Sequence, residues 1–446
     1  MLLLMLLILL FDMAKNNNLK DLLTDVADAI REKKGTAEKI NPQDFGSEIK
    51  AIQTGITPAE EKDVNFYDYD GTILYSYTWD EFQNVTEMPP LPVHKELRIY
   101  GTGWGNYTLD IIKSQEEKRC EVPCFFNTDN GMSLLHIEVF KDTALEIALY
   151  GRIDGVAEII WGDGTRESIN VEKSKKYYIT HAYKKGKYVL EIPNILNIGD
   201  SAAVFFTNSN VELVSCYMGK DADFSSISLN KITTIKHITS NKALTSALGL
   251  YSIMKYCSTI LGNNSLQSTS LVKQVIPYYS IGANSLFSNT ITDVFIPNLQ
   301  QSLGHNPFNT SKLTHLYIPD TIKGCASQLC RGMSYLVEVK LSNAFTALTT
   351  QSFQDCRALT KIKIPPLVAT IGTNCFSGCT AMKYYDFRNV NVVPTLDNTN
   401  AFTGIPTDCK IVVPDALYDG WIAATNWSYW ASYIVKASDF VEPTNE

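Results

Sequence analysis

Asp68 and Asp70 stand two residues apart in the string Asp68-Tyr69-Asp70-Gly71-Thr72, and carboxylates so spaced could do phosphoryl chemistry. One would attack phosphorus and the other would handle the proton. Asp163, in Trp161-Gly162-Asp163-Gly164-Thr165, could take calcium, or could bond backbone N–H groups of its own turn while the glycines supply positive φ. The six histidines, at positions 94, 136, 181, 237, 305 and 315, are scattered without ligand spacing. The ten cysteines include no C-x-x-C pair for zinc or redox chemistry. The expectation is no enzyme: no catalytic residue, no metal, no cofactor, and a binding surface that single residues do not mark.

The Asp68–Thr72 string resembles the nucleophile motif of haloacid-dehalogenase phosphatases, but its setting does not. That chemistry needs a buried hydrophobic strand before the motif and a doubly wound α/β domain after it. The preceding VNFY is short and holds the polar Asn65; ILYSYT alternates after it, and a proline-rich stretch follows. A hairpin around an Asp-Gly turn explains the same residues. From Thr78, WDEFQNV reads as a short helix closed by Pro89, Pro90 and Pro92. Residues 61–130 are therefore expected to form a small α+β module.

The elements around these residues define the rest of the chain. At 446 residues it is too long for one ordinary core. Its 19% charged and 45% hydrophobic residues suit folded domains, and a formal charge of −8 without a basic run argues against a nucleic-acid surface. The thiols read as small buried core residues, with structural disulfides as the alternative. Residues 1–60 hold an apolar start, MLLLMLLILL, too short to span a bilayer. It is either an untranslated stretch before a true start at Met13, a degenerate signal peptide, or a buried segment. Leu19, Leu22, Leu23, Val26, Ala29 and Ile30 then share one helical face, and a second helix begins near Pro42. Two such helices need a partner for their apolar faces, either as a docking or oligomerisation element or as a hairpin folded on the body.

Residues 131–195 read as strands: LLHIEVF, TALEIALY, VAEIIW, SINV, YYITHAY and YVLEI. With WGDGT, His181, Tyr183 and the last strand after Gly186, this stretch resembles the PKD family of immunoglobulin-like β-sandwiches. The resemblance implies structural roles: Trp161 and Tyr183 would pack and cap the sandwich.

Residues 271–410 carry repeats. Ile276, Ile296, Ile318, Leu341, Ile364 and Phe387 recur at separations of 20, 22, 23, 23 and 23. Two residues before each stand Val294, Leu316, Val339, Ile362 and Tyr385, with Gln274 breaking the column. Seven after come Leu303, Cys325, Leu348 and Ile371; about twelve after come Phe287, Phe308, Cys330, Phe353 and Phe376. Each coil contributes a strand edge and a plug to one continuous core. LTKIKIPPLVATIGTNCFSGCTAM and QSFQDCRAL resemble the BspA-type leucine-rich repeat. Residues 196–270 hold only fragments and read as degenerate coils or a β linker. Residues 411–446 read as a C-terminal cap: a strand, a helix from Ala416 to Ala424, and Trp421, Trp427 and Trp430, whose alternative is an aromatic sugar platform.

The whole is thus expected to be multidomain and mainly β: helical segment, α+β module, PKD-like sandwich, leucine-rich-repeat solenoid and cap. This order resembles leucine-rich-repeat proteins encoded by phages and prophages of gut bacteria. That resemblance implies a virion-associated structural protein, a tail or head fibre or adhesin for host recognition. Its sandwich would be a stalk, its solenoid would face a host cell-surface glycan or protein, and its N-terminal helices would meet other virion proteins in a homo-oligomer. The alternative is a secreted or surface-held bacterial adhesin, although no LPxTG-like motif or C-terminal apolar tail stands in the sequence.

Overall fold

The Asp-Gly hairpin forms as its turn chemistry requires. In the computed structural model, β1 (Val64–Tyr67) pairs antiparallel with β2 (Ile73–Tyr77). Gly71 takes φ +88°, and the Asp70 carboxylate accepts the Thr72 N–H at 3.1 Å. The structure describes Ala27 and residues 59–199, 209–224, 227–228, 234–244, 247–248, 252–260, 270–275, 280–284, 290–298, 302–308 and 312–443. The apolar start and the docking helices expected before residue 59 lie outside the described residues, Ala27 excepted.

The free edge of β1 pairs in parallel with β5 (Cys120–Pro123), which the hairpin alone did not announce. Helix α1 (Trp79–Gln83) starts on a capping box, with Thr78 and Glu81 each accepting the other's backbone N–H. A second sheet joins β3 (Val93–His94), β4 (Ile99–Gly103) and β6 (Phe125–Thr128), and α2 (Leu109–Lys113) lies between the last two in sequence. Val64, Phe66, Phe82, Trp104, Ile112 and Val122 close a core of their own.

All six strands expected after residue 130 are present: β7 (Ser133–Val139), β8 (Thr143–Gly151), β9 (Gly155–Ile160), β10 (Arg166–Val171), β11 (Lys176–Tyr183) and β12 (Gly186–Ile192). Leu135, Ile137 and Val139 alternate into a core shared with Leu145, Ile147 and Leu149. Two further strands lie past the expected boundary at 195. β13 (Leu196–Ile198) extends the sheet β11-β8-β13. β14 (Val211–Tyr217) pairs antiparallel with β7 on one side and parallel with His237–Thr239 on the other. The sandwich sheet therefore runs on into the first coils. An exposed sheet edge and an open solenoid end both leave backbone groups unpaired, and joining them satisfies both. The sandwich is fused to the solenoid through this shared sheet.

Short parallel strands then stack: Tyr256–Cys257, Lys273–Val275 and Asp293–Phe295; His315–Tyr317 and Glu338–Lys340; Lys361–Lys363, Tyr384–Asp386, Lys410–Val413 and Ile434–Lys436. Val294, Leu316, Val339, Ile362 and Tyr385 point inward, and so do the next-but-one residues Ile296, Ile318, Leu341, Ile364 and Phe387. Ile276 and Phe287 lie outside the described residues. Phe353, Phe376 and Phe402 stack at 5.4 Å spacings along the axis. The Cys356 and Cys379 thiols each donate to a backbone carbonyl of the preceding coil, at 3.1 and 3.2 Å. All ten cysteines are free thiols, nine of them buried and Cys325 partly so.

Two features of the coils were not anticipated. A second ladder of two-residue strands, Ala347–Leu348, Thr370–Ile371 and Thr395–Leu396, forms a separate parallel sheet in the same coils. Before the plug, Asn284, Asn306, Gln328, Gln351 and Asn374 all take φ between 50° and 58°. Asparagine suits this column because it tolerates the left-handed region, and the amides, glutamines included, bond one another between coils. Asn306 donates to Asn284 at 3.0 Å and Gln328 to Gln351 at 2.7 Å.

The cap has a 3-10 turn (Asp415–Leu417), helix α3 (Tyr418–Ala423) and a longer 3-10 segment (Trp427–Tyr433). Trp421, Trp427 and Trp430 are buried against Phe387 and Phe402. The Trp427 and Trp430 indoles donate to carbonyls of Pro394 and Thr399. A sugar platform is therefore ruled out for these three rings, because each is spent sealing the solenoid end.

Candidate recognition face

On each coil strand the residues flanking the inward one point outward. They form one column of Lys273, Asp293, His315, Glu338, Lys361, Tyr384 and Lys410, and a second of Phe295, Tyr317, Lys340, Lys363, Asp386 and Val412. This is the face that a solenoid can offer to a partner, because the opposite ends of these side chains are not needed by the core.

Part of it is already occupied. The α+β module lies across the first coils. Arg119 donates to Asp293 at 2.6 Å and to Glu121 at 2.7 Å, and the Lys273 ammonium sits 3.2 Å from the fully buried Glu121. The Tyr67 hydroxyl donates to that same carboxylate and accepts from Lys273. Burial raises the Tyr67 pKa, and the Glu121 charge beside it raises it further. Burial opposes ionisation of Asp293, but the Arg119 guanidinium and Lys273 override it and hold the carboxyl below its ordinary range. Further along, the Tyr317 hydroxyl donates to Glu116 at 2.6 Å, and Lys340 stands over the Tyr317 ring. Arg98 ties the module to the sandwich through Glu191 at 2.8 Å and is held within the module by Asp129 at 3.1 Å.

The Asp68–Thr72 turn belongs to this joint. Tyr67 stacks on Tyr256 at 5.4 Å, and a side chain at Gly71 would meet the Tyr256 Cβ at 2.7 Å. Asp68 is buried and accepts from His94 at 2.8 Å, out of reach of any substrate. Asp70 serves its own turn. The phosphatase-like string is a hairpin tip pressed on a coil.

At the other end the C-terminal residues cover the face. Phe440 packs on Tyr384 at 4.9 Å, and Arg388 donates to both Asp386 and Glu442. Between the two covers, Glu338, Lys340, Lys361 and Lys363 stand exposed. A cleft of about 520 Å³ opens at the C-terminal cover, on the coils that follow Lys361 and Lys363, with Met382, Lys383, Pro406, Asp408, Lys410 and Phe440 in its walls. Among the described residues, no hydrogen bond or ion pair engages the ammonium of Lys361, Lys363, Lys383 or Lys410.

The other residues singled out by type are structural. Asp163 accepts from the Thr165 backbone at 2.9 Å and from His181 at 2.8 Å. Burial pushes its carboxyl up, but the bonds from Thr165 and His181 outweigh that and hold it at about 2. His181 stacks flat on Trp161 at 4.5 Å, and the Tyr183 hydroxyl donates to the Trp161 carbonyl. His136 lies edge-on to Tyr217 and His237 to Tyr69; His315 is exposed beside Glu338. Among the described residues, no three His, Cys, Asp or Glu side chains gather as metal ligands. The exposed lysines escaped notice in the sequence because the repeats were aligned on their apolar columns. The signal was K-x-K at 361–363, flanking an inward isoleucine.

Residues 259–383 match, in six copies, the family described as the BspA type leucine rich repeat region. No curated protein matches the chain. Among solved structures it is similar to the pneumococcal vaccine antigen PcpA, at 15% identity over 52% of this chain and 68% of that one, with a TM-score of 0.32. It is also similar to a leucine-rich repeat protein from Bacteroides ovatus, at 17% identity over 63% of this chain and 98% of that one, with a TM-score of 0.25. The C-terminal coils, with their inward columns, phenylalanine plugs and thiol bonds, are BspA-type leucine-rich repeats over the matched residues.

Proposed function

We propose that this chain is a non-enzymatic recognition protein that presents the open part of its leucine-rich-repeat face to a host glycan or protein. One observation carries the reading: among the described residues, the face is covered at both ends and exposed between the covers, on a braced support. Arg98, Arg119 and Lys273 tie the module to the sandwich and coils, and the sandwich and coils share a continuous apolar core, so the window is preorganised and loses little entropy on binding. The WGDGT turn, with Trp161 and Tyr183 capping the sheets, supports a PKD-like unit as that brace.

The order of units, with helices first and coils last, supports display on a virion, as a phage tail or head fibre in a homo-oligomer. The BspA-type repeats favour a second reading, a bacterial cell-surface adhesin. Mass spectrometry of purified virions and of the bacterial surface fraction separates the two. The recognition reading itself is tested by adhesion of the labelled full chain to host cells: saturable adhesion supports it, and none at micromolar protein overturns it.

A further inference from the structure

We infer that the window binds an acidic polysaccharide whose anionic groups meet Lys361, Lys363, Lys383 and Lys410. The inference rests on the recognition reading and names its ligand class. The chain as a whole carries −8, yet these four lysines stand on three neighbouring coils; among the described residues no hydrogen bond or ion pair holds their ammonium groups, although Lys361 lies near enough to Glu442 to help lower the pKa of that carboxyl. Lys361 and Lys363 flank the inward Ile362, so they stand on one face about 7 Å apart along the strand. Lys383 and Lys410 lie on successive coils, where the Lys410 N–H bonds the Lys383 carbonyl at 3.0 Å, and both reach the cleft.

The cleft adds what a sugar ring needs. Met382, Pro406 and Phe440 give it an apolar wall, and Asp408 gives it an acceptor for hydroxyl groups. The acidic groups nearby decide between kinds of polyanion. Glu338 is exposed, Glu116 engages Lys340 and Tyr317, and Asp386 and Glu442 share Arg388. A nucleic acid, with closely spaced phosphates, needs a continuous basic track, and these carboxylates interrupt one. A polysaccharide with one charge per sugar can place its anions at the lysines and its hydroxyls at the acids. Carboxylate and sulfate share this chemistry.

The test uses the full chain against polygalacturonate, dextran sulfate, neutral dextran and a DNA duplex, by biolayer interferometry. The expected result is binding to one or both acidic polysaccharides, weakened by salt, with none to dextran. Affinity falls at least tenfold in K361E/K363E and in K383E/K410E, while K187E on the sandwich changes nothing. Charge-neutral K361Q/K363Q should fall between wild type and the reversed pair. The inference is overturned if neither acidic polysaccharide binds, if DNA binds more tightly than both, or if the lysine variants bind as wild type does. Adhesion to host cells retained by K361E/K363E would sink the anionic ligand and leave the recognition reading standing. Loss of that adhesion alongside polysaccharide binding supports both.

Discussion

The Lys273 ammonium lies 3.2 Å from the Glu121 carboxylate, across the joint between a strand of the N-terminal module and a coil of the solenoid. Glu121 is fully buried, and its other neighbours are Arg119, Asn65 and Tyr67. Removing one member of a buried charge pair leaves the other uncompensated, which typically costs about 3 kcal/mol or more. Lys273→Met is expected to lose about 3 kcal/mol in urea unfolding followed by tryptophan fluorescence. Adding Glu121→Gln should return part of that loss. An unchanged midpoint in K273M would mean that the joint does not hold the module down.

Phe376 tests the plug column. It stacks between Phe353 and Phe402 and is fully buried. Phe376→Ala should cost about 3–5 kcal/mol, as large core truncations do. Tyr429→Ala, at a side chain left 70% exposed on the cap, should stay within about 0.5 kcal/mol. Similar losses in both would contradict the packing described.

The WGDGT turn predicts a pH signature. Asp163 sits at about 2 in the folded chain, below the ordinary value of 3.8. A depressed acid stabilises the fold above its unfolded pKa, and that contribution is lost as pH falls through the folded one. Asp163→Asn should therefore lower Tm at pH 6, with the gap to wild type narrowing below about pH 4 and closing near pH 2. The shift should be small, since the turn is open to water. A gap that widened on acidification would reverse the assignment.

The buried pair of Asp68 and His94 predicts a structural effect without a catalytic one. Asp68→Asn should destabilise the module by about 2–3 kcal/mol by weakening a buried hydrogen bond to a charged group. Neither it nor D68N/D70N should change the hydrolysis of p-nitrophenyl phosphate from the background seen with wild type. A phosphatase rate abolished by these substitutions would restore the enzyme reading.

The cysteines predict a titration. All ten are thiols, and burial raises the pKa of Cys120, Cys330, Cys356 and Cys375 well above the ordinary value. A thiol reagent should react slowly with the native chain and count ten groups after unfolding without reductant. Eight or fewer would indicate a disulfide.

Local and periodic features were legible in the chain alone. The Asp-Gly hairpin, the WGDGT turn, the six sandwich strands and the inward columns at Ile296, Ile318, Leu341, Ile364 and Phe387 follow from turn chemistry and a period of 22–23 residues. These rules act between near neighbours or repeat down a column, so one sequence displays them. Tertiary structure alone decided the rest. Arg119 meets Asp293, Tyr67 meets Tyr256, and β14 joins β7 to the strand at His237, each through contacts that no periodicity marks. The proposed recognition face depended on those contacts. Its outward columns were written in the repeats, but only the docking of the module and of the C-terminal residues leaves Glu338, Lys340, Lys361 and Lys363 as the exposed part.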